Sequence, residues 1–237
     1  MLNDTHGGGV SRADCTLVIP AYNEERRIRS LLEDISGFAG PLIFVCDGTD
    51  ATPAIIDAFA ADHPSRTIRC LTFPHRLGKG GGVVEGMKAA ATRYIGYMDA
   101  DGSTSLAEME RLFDRLTTVD GAIGSRWVPG SVLPVRQGFR RQVESRLFNL
   151  LVRLLFGLDY RDTQCGAKAF RREALDAVLP SIRSTGFEFD VELLWRLQRR
   201  GCRVEEVPIT WENREESKVM ALDAKEMLFG MIRLRFG

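Results

Sequence analysis

The sequence predicts an α/β protein: a doubly wound, mostly parallel sheet flanked by helices. Three observations carry the prediction. Short β-prone apolar runs alternate with longer stretches of helical periodicity from residue 15 onward. The runs are apolar at consecutive positions, which is the pattern of strands buried on both faces. The length, 237 residues, suits a single domain of this class.

The elements follow in order. Residues 15–19 form a continuous β-prone run ended by Pro20, and 24–35 place Ile28, Leu31, Leu32 and Ile35 at helical spacing. A strand over 42–46, a helix over 53–61 opened by Pro53, and a strand over 67–73 repeat the unit. The spacing then predicts a helix over 85–91 and strands over 94–98 and 121–125. Residues 128–138 read as a Pro/Gly-rich loop, and 141–156 as a long helix. A strand at 168–170, helices over 172–179 and 189–200, and a strand over 203–209 complete the pattern. In a doubly wound sheet ligands bind at the carboxyl ends of the strands, so function is expected in the loops that follow them.

Composition excludes several classes. Hydrophobic residues make up 44% and charged residues 27%, which is globular rather than disordered. The 32 basic residues balance 32 acidic ones, so no global field attracts nucleic acid, and no basic stripe with interleaved aromatics is present. No uncharged apolar stretch approaches the roughly 20 residues of a spanning helix. Residues 1–13 lack a basic region followed by an apolar run, so the protein is expected in the cytoplasm. Cys15, Cys46, Cys70, Cys165 and Cys202 are scattered and read as reduced thiols; His6, His63 and His75 show no metal spacing.

The residues with chemistry are few. Asp99 and Asp101 stand one residue apart just after a predicted strand, so both reach one hard cation that keeps most of its waters and bridges phosphate oxygens, as Mg²⁺ or Mn²⁺ does. A helix cap or turn before Leu106 is the plain alternative. The segment Arg76-Leu-Gly-Lys-Gly-Gly-Gly82 fits neither the Walker nor the dinucleotide spacing, and reads as a flexible turn that brings Lys79 near an anion.

Seven segments occur together in a familiar order: Val18-Ile-Pro-Ala-Tyr-Asn-Glu24, Asp47-Gly-Thr-Asp-Ala-Thr52, Gly78-Lys-Gly80, Asp99-Ala-Asp101, Gly124-Ser-Arg126, Asp162-Thr-Gln-Cys-Gly-Ala-Lys168 and Phe187-Glu-Phe-Asp-Val-Glu-Leu193. Over residues 16–233 the chain resembles the inverting family 2 glycosyltransferases of GT-A fold, above all those that glucosylate or mannosylate dolichyl phosphate. The Asp162–Lys168 segment and the stretch from Trp211 to Lys218 favour the glucosyltransferases.

The resemblance implies a nucleotide-binding half, about 15–125, and an acceptor half, about 126–237, in one GT-A domain after a flexible segment 1–14. Pro20, Tyr22, Glu24, Asp47 and Lys79 would hold the nucleotide, and Asp99 and Asp101 the Mg²⁺ or Mn²⁺ on its diphosphate. That cation would stabilise the charge developing as the sugar C1 bond breaks. An acceptor phosphate is already ionised and needs no strong base, only cations that orient it, which Arg126, Arg141, Ser145 and Lys218 would supply. Asp190 is expected to face the acceptor cleft near the sugar, with Asp162 a second candidate; a helix-start carboxylate is the plain alternative for each.

Three positions depart from the family pattern. The nucleoside loop has Cys46-Asp47 in place of paired aspartates, Ser103 stands where mannose synthases often carry Gln, and Glu216 precedes the Ser217-Lys218 pair. The amphipathic stretches 142–156 and 224–236 read as core packing or as a peripheral contact with a membrane near the lipid acceptor. The expected function is transfer of a hexose from UDP-glucose or GDP-mannose to a polyprenyl phosphate. The rivals are a family 2 transferase with a soluble acceptor and a non-catalytic nucleotide-binding or scaffold protein.

Overall fold

The computed structural model describes residues 9–134, 149–212 and 221–236, of which 221–228 are backbone only. Its strands are β1 (Cys15–Ala21), β2 (Leu42–Cys46), β3 (Ile68–Thr72), β4 (Tyr94–Met98), β5 (Gly121–Ser125), β6 (Ala167–Arg171) and β7 (Val204–Pro208). They form one sheet in the order β3-β2-β1-β4-β6-β5-β7, parallel except for β6, which runs against both neighbours. The helices are α1 (Ile28–Asp34), α2 (Thr52–Asp62), α3 (Gly78–Ala89), α4 (Leu106–Arg115), α5 (149–156), α6 (Arg172–Asp176), α7 (Phe189–Arg199) and α8 (Ala221–Phe236).

Alternation along the central strands divides the core in two. Leu17 and Ile19 of β1 face α1, α2 and α4, with Phe44, Phe113 and Met98. Val18 faces the other way, toward Val83 and Met87 of α3, Phe189 and Leu193 of α7, and Met231 of α8. The strand order reverses at β1, which pairs with β2 on one side and β4 on the other. The loops after β1 and β4 therefore splay apart and open a crevice at their carboxyl ends.

Two expectations need correction. The Gly-rich segment is not a flexible turn but the first turns of α3. A Cβ on Gly80 would lie 2.4 Å from that of Phe189, and one on Gly86 would lie 2.2 Å from Cγ1 of Val18. Each glycine costs a helix about 1 kcal/mol in propensity, and the close packing of α3 between β1 and α7 offsets it. Residues 9–14 are also held: Val10 is buried, and the Arg12 guanidinium clasps Asp114 of α4 at 2.8 and 2.9 Å. Residues 1–8 lie outside the described residues.

Candidate active site

The crevice is a cleft of about 170 Å³ lined by Pro20, Tyr22, Glu24, Asp47, Lys79, Asp99 and Asp101, all anticipated from the sequence. Arg27, Arg76 and Phe187 also line it and were not anticipated as site residues. At one end the Arg76 guanidinium stacks on the Tyr22 ring, 3.2 Å from its centroid. Glu24 receives both prongs of Arg27, at 2.8 Å each, and its amide donates to Thr52 Oγ1. Asp47, just past β2, turns Oδ2 onto the amides of Leu77 and Gly78 at 2.8 and 3.1 Å. A carboxylate at that place caps the entry to α3 and fixes the turn before Lys79. Gly78 itself has φ 76° and lies against the Thr185 carbonyl, so no other residue fits the turn without strain.

Lys79 is the centre of the charge arrangement. Its Nζ lies 2.9 Å from Asp99 Oδ1 and 3.6 Å from Asp190 Oδ2, beneath the ring of Phe187. Burial alone would lower the Lys79 ammonium, but Asp99 and then Asp190 raise it, so it stays charged. Burial pushes the Asp99 carboxyl up, against the pull of Lys79 and with the repulsion of Asp101. Asp101 uses Oδ1 to accept the Ser103 amide at 2.9 Å, closing a turn that starts the approach to α4.

Among the described residues no group of three or more His, Cys, Asp and Glu stands ready for a metal. Among the described residues the candidate donors are the carboxylates of Asp99 and Asp101. Two hard oxygens on one turn, with room for waters and ligand phosphates, fit Mg²⁺ or Mn²⁺ and do not fit a metal that demands a full protein cage.

Asp190 is not where the sequence reading put it. It is fully buried in α7, behind the cleft wall, and its Oδ1 accepts from the Tyr97 hydroxyl and from Lys168 Nζ, the latter at 2.5 Å. Burial would raise this carboxyl, yet Lys168 and Lys79 hold it below the ordinary range. Asp162 is buried as well and is taken up by Arg126: Nε and Nη2 donate at 2.7 and 2.8 Å, and the Arg126 amide at 2.9 Å. The Arg126 side chain therefore has a fixed anionic partner and sits between Trp127 and Trp211, outside the lining of the cleft. Arg141, Ser145 and Lys218 lie outside the described residues.

The unanticipated participants had weak signals. Lys168 closes one of the seven segments and Arg76 opens the Gly-rich one, but nothing local shows Lys168 as a buried cation. Tyr97 reads as an ordinary strand residue.

Comparison with known proteins gives a consistent outcome. Residues 16–179 match the family model described as glycosyl transferase family 2. The chain is 38% identical over 217 residues to glycosyltransferase AglD of Haloferax volcanii, covering 87% of this chain and 34% of that protein. It is 34% identical to the polyprenol monophosphomannose synthase of Mycolicibacterium smegmatis, with 90% and 83% covered. With the dolichyl-phosphate beta-glucosyltransferase of Dictyostelium discoideum it shares 29%, with 93% and 73% covered. The chain thus spans about a third of the first of these relatives and most of the other two. Among solved structures, glucosyl-3-phosphoglycerate synthase of Mycobacterium tuberculosis, in complex with Mn²⁺, UDP and glucosyl-3-phosphoglycerate, superposes with a TM-score of 0.68 at 19% identity, covering 93% of this chain and 79% of that one. That likeness establishes the GT-A fold.

Proposed function

The chain belongs to glycosyl transferase family 2, and on that premise we propose that it transfers a hexose from a nucleotide sugar to a polyprenyl phosphate of the dolichyl type, in one inverting, metal-assisted displacement. The observation that carries the reading is the juxtaposition of Asp99, Asp101 and Lys79 in a cleft at the carboxyl ends of β1 and β4. Two carboxylates and one ammonium at the floor of a cleft are the complement of a metal-bound diphosphate.

Each residue then has a physical task. Tyr22 and Arg76 offer a flat, cationic stacked surface to the nucleoside. Asp47 holds the turn that carries Lys79 in the cleft. Asp99 and Asp101 would hold Mg²⁺ or Mn²⁺, which when bound would neutralise charge on the departing diphosphate. The acceptor is an ionised phosphate oxygen that attacks C1 from the face opposite the diphosphate, so an α-linked donor gives a β-linked product. Attack by an anion needs orientation more than proton removal. Arg126, fixed by Asp162, supports that orientation together with Arg141, Ser145 and Lys218.

The acceptor class is supported by the names of the Mycolicibacterium and Dictyostelium relatives. It is supported also by exposed Leu150 and Leu154 on α5 and Phe229, Ile232 and Phe236 on α8. The two helices are joined where Arg235 Nε donates to the Leu155 carbonyl at 2.9 Å. An apolar surface of this kind suits a bilayer that carries the acceptor. No helix among the described residues is long and apolar enough to cross a membrane.

The test is direct. Purified protein is incubated with radiolabelled UDP-glucose or GDP-mannose, Mn²⁺ and polyprenyl phosphate in detergent micelles. Label in the organic phase is expected with one of the two donors and identifies it; label confined to water-soluble acceptors overturns the lipid assignment.

A further inference from the structure

Behind the cleft, Lys168, Asp190, Lys79 and Asp99 form an alternating line of charges. Lys168 and Asp190 are both fully buried and 2.5 Å apart, and the Tyr97 hydroxyl also donates to the same oxygen, Oδ1. The other oxygen, Oδ2, is buried and accepts no hydrogen bond from the described residues. A buried carboxylate oxygen without a donor is uncommon in a native structure and calls for an explanation. The Lys79 ammonium lies 3.6 Å from it, while bonded at 2.9 Å to Asp99. A shift of under about 1 Å would give Asp190 the missing donor and release Asp99.

We infer that Asp190 is a positioning residue: it receives the Lys79 ammonium when Asp99 turns to the divalent cation of the donor. The inference rests on the reading that Asp99 and Asp101 hold that cation. An ammonium and a divalent cation repel each other and compete for Asp99, so one of them leaves. Leaving would strand a buried lysine, except that Asp190 Oδ2 stands open beside it. Asp190 does not follow the lysine, because Lys168 and Tyr97 anchor its other oxygen. The backbone does not move either, because Asp47 and the Thr185 carbonyl pin both ends of the turn that bears Lys79. The exchange is a side-chain motion between two fixed carboxylates. Lys79 occupies the place of the metal at Asp99 in its absence and yields it without losing an anionic partner.

Two measurements test this. The first is Mn²⁺ binding without nucleotide, followed by electron paramagnetic resonance. Asp190→Asn weakens Mn²⁺ binding ~10-fold in the otherwise unchanged protein, and leaves it unchanged in a Lys79→Met background, the coupling of a double-mutant cycle. Equal weakening in both backgrounds would mean that Asp190 acts only as a distant charge, and overturns the inference. The second, independent of whether the variants fold, is a crystal structure of the unsubstituted protein with Mn²⁺ and UDP. Lys79 Nζ is expected within hydrogen-bond distance of Asp190 Oδ2 and clear of Asp99. Mn²⁺ at Asp99 and Asp101 with Lys79 still on Asp99 sinks the inference and leaves the metal reading intact; Mn²⁺ bound elsewhere or not at all sinks both.

Discussion

Gly166 and Asp99 touch so closely that a Cβ on the glycine would lie 1.7 Å from Oδ2 of the aspartate and 2.2 Å from its Cγ. The Asp99 amide donates to the Gly166 carbonyl at 3.0 Å, so neither backbone retreats. Gly166→Ala is therefore expected to drive the Asp99 carboxylate out of its place. Overpacking of this kind costs about 1–3 kcal/mol in stability. The larger effect is on the ligand: UDP affinity in the presence of Mn²⁺, read by titration calorimetry, should fall ~10-fold or more, since ~1.4 kcal/mol of lost contact already gives tenfold. Unchanged affinity would show that the glycine does not set the position of Asp99.

Asp101 makes the opposite combination: the proposed chemistry rests on it, and little structure does. Among the described residues its carboxylate accepts one hydrogen bond, from the Ser103 amide. Asp101→Ala should leave the melting temperature nearly unchanged while transfer at saturating Mn²⁺ falls ~100-fold or more, the scale of losing one charge-stabilising group in a transition state. A rate within about threefold of the unsubstituted enzyme, well inside that scale, would remove Asp101 from the metal site.

How much of this was legible in the sequence depends on whether the cause is local. The strands β1, β2 and β4 were visible because each is a short, mostly apolar run, which suits burial on both faces. Asp99, Asp101 and Asp47 were visible because each follows such a run. The start of α3 was not, because glycine has poor helix propensity and the helix there is decided by its contact with β1 and α7. The antiparallel sense of β6 was hidden too, since the direction of a strand is set by its connections and not by its composition. Asp190 was found as a residue and misplaced as a group: its partners Tyr97, Lys168 and Lys79 come from β4, β6 and α3, and only the folded chain brings them together.

The Arg126–Asp162 pair sets a pH dependence. Burial would raise the Asp162 carboxyl, but the Arg126 charge and its hydrogen bonds hold it below the usual carboxylate range. A carboxyl depressed in the folded state adds stability that is fully present above its unfolded pKa, about 3.9, and is lost as pH falls through the folded value. Asp162→Asn leaves a largely buried guanidinium unpaired and is expected to cost on the order of 3–5 kcal/mol near neutral pH. Urea unfolding at a series of pH values checks the sign. The gap between unsubstituted protein and variant should be constant at neutral pH and close below about pH 4; a gap that widens in acid contradicts the assignment.

Asp47 separates hydrogen bonding from charge. Its Oδ2 accepts two amides at the entry of α3, while Oδ1 stands 3.9 Å from Arg76 Nη1, a loose pairing with a half-exposed side chain. Replacing the carboxylate by an amide keeps one acceptor oxygen in reach of Leu77 and Gly78, so Asp47→Asn should retain most of the cap. Asp47→Ala leaves both amides without a partner in a sheltered turn, and a lost cap of this type costs about 0.5–2 kcal/mol. The turn also carries Lys79, so its loosening should appear in ligand binding as well as in stability. The expected order in melting temperature is unsubstituted, then Asn, then Ala, and UDP affinity should follow the same order. If Asn and Ala were equally destabilised, the charge near Arg76 would be the stabilising element in place of the amide contacts, and the turn before Lys79 would be held by something other than Asp47.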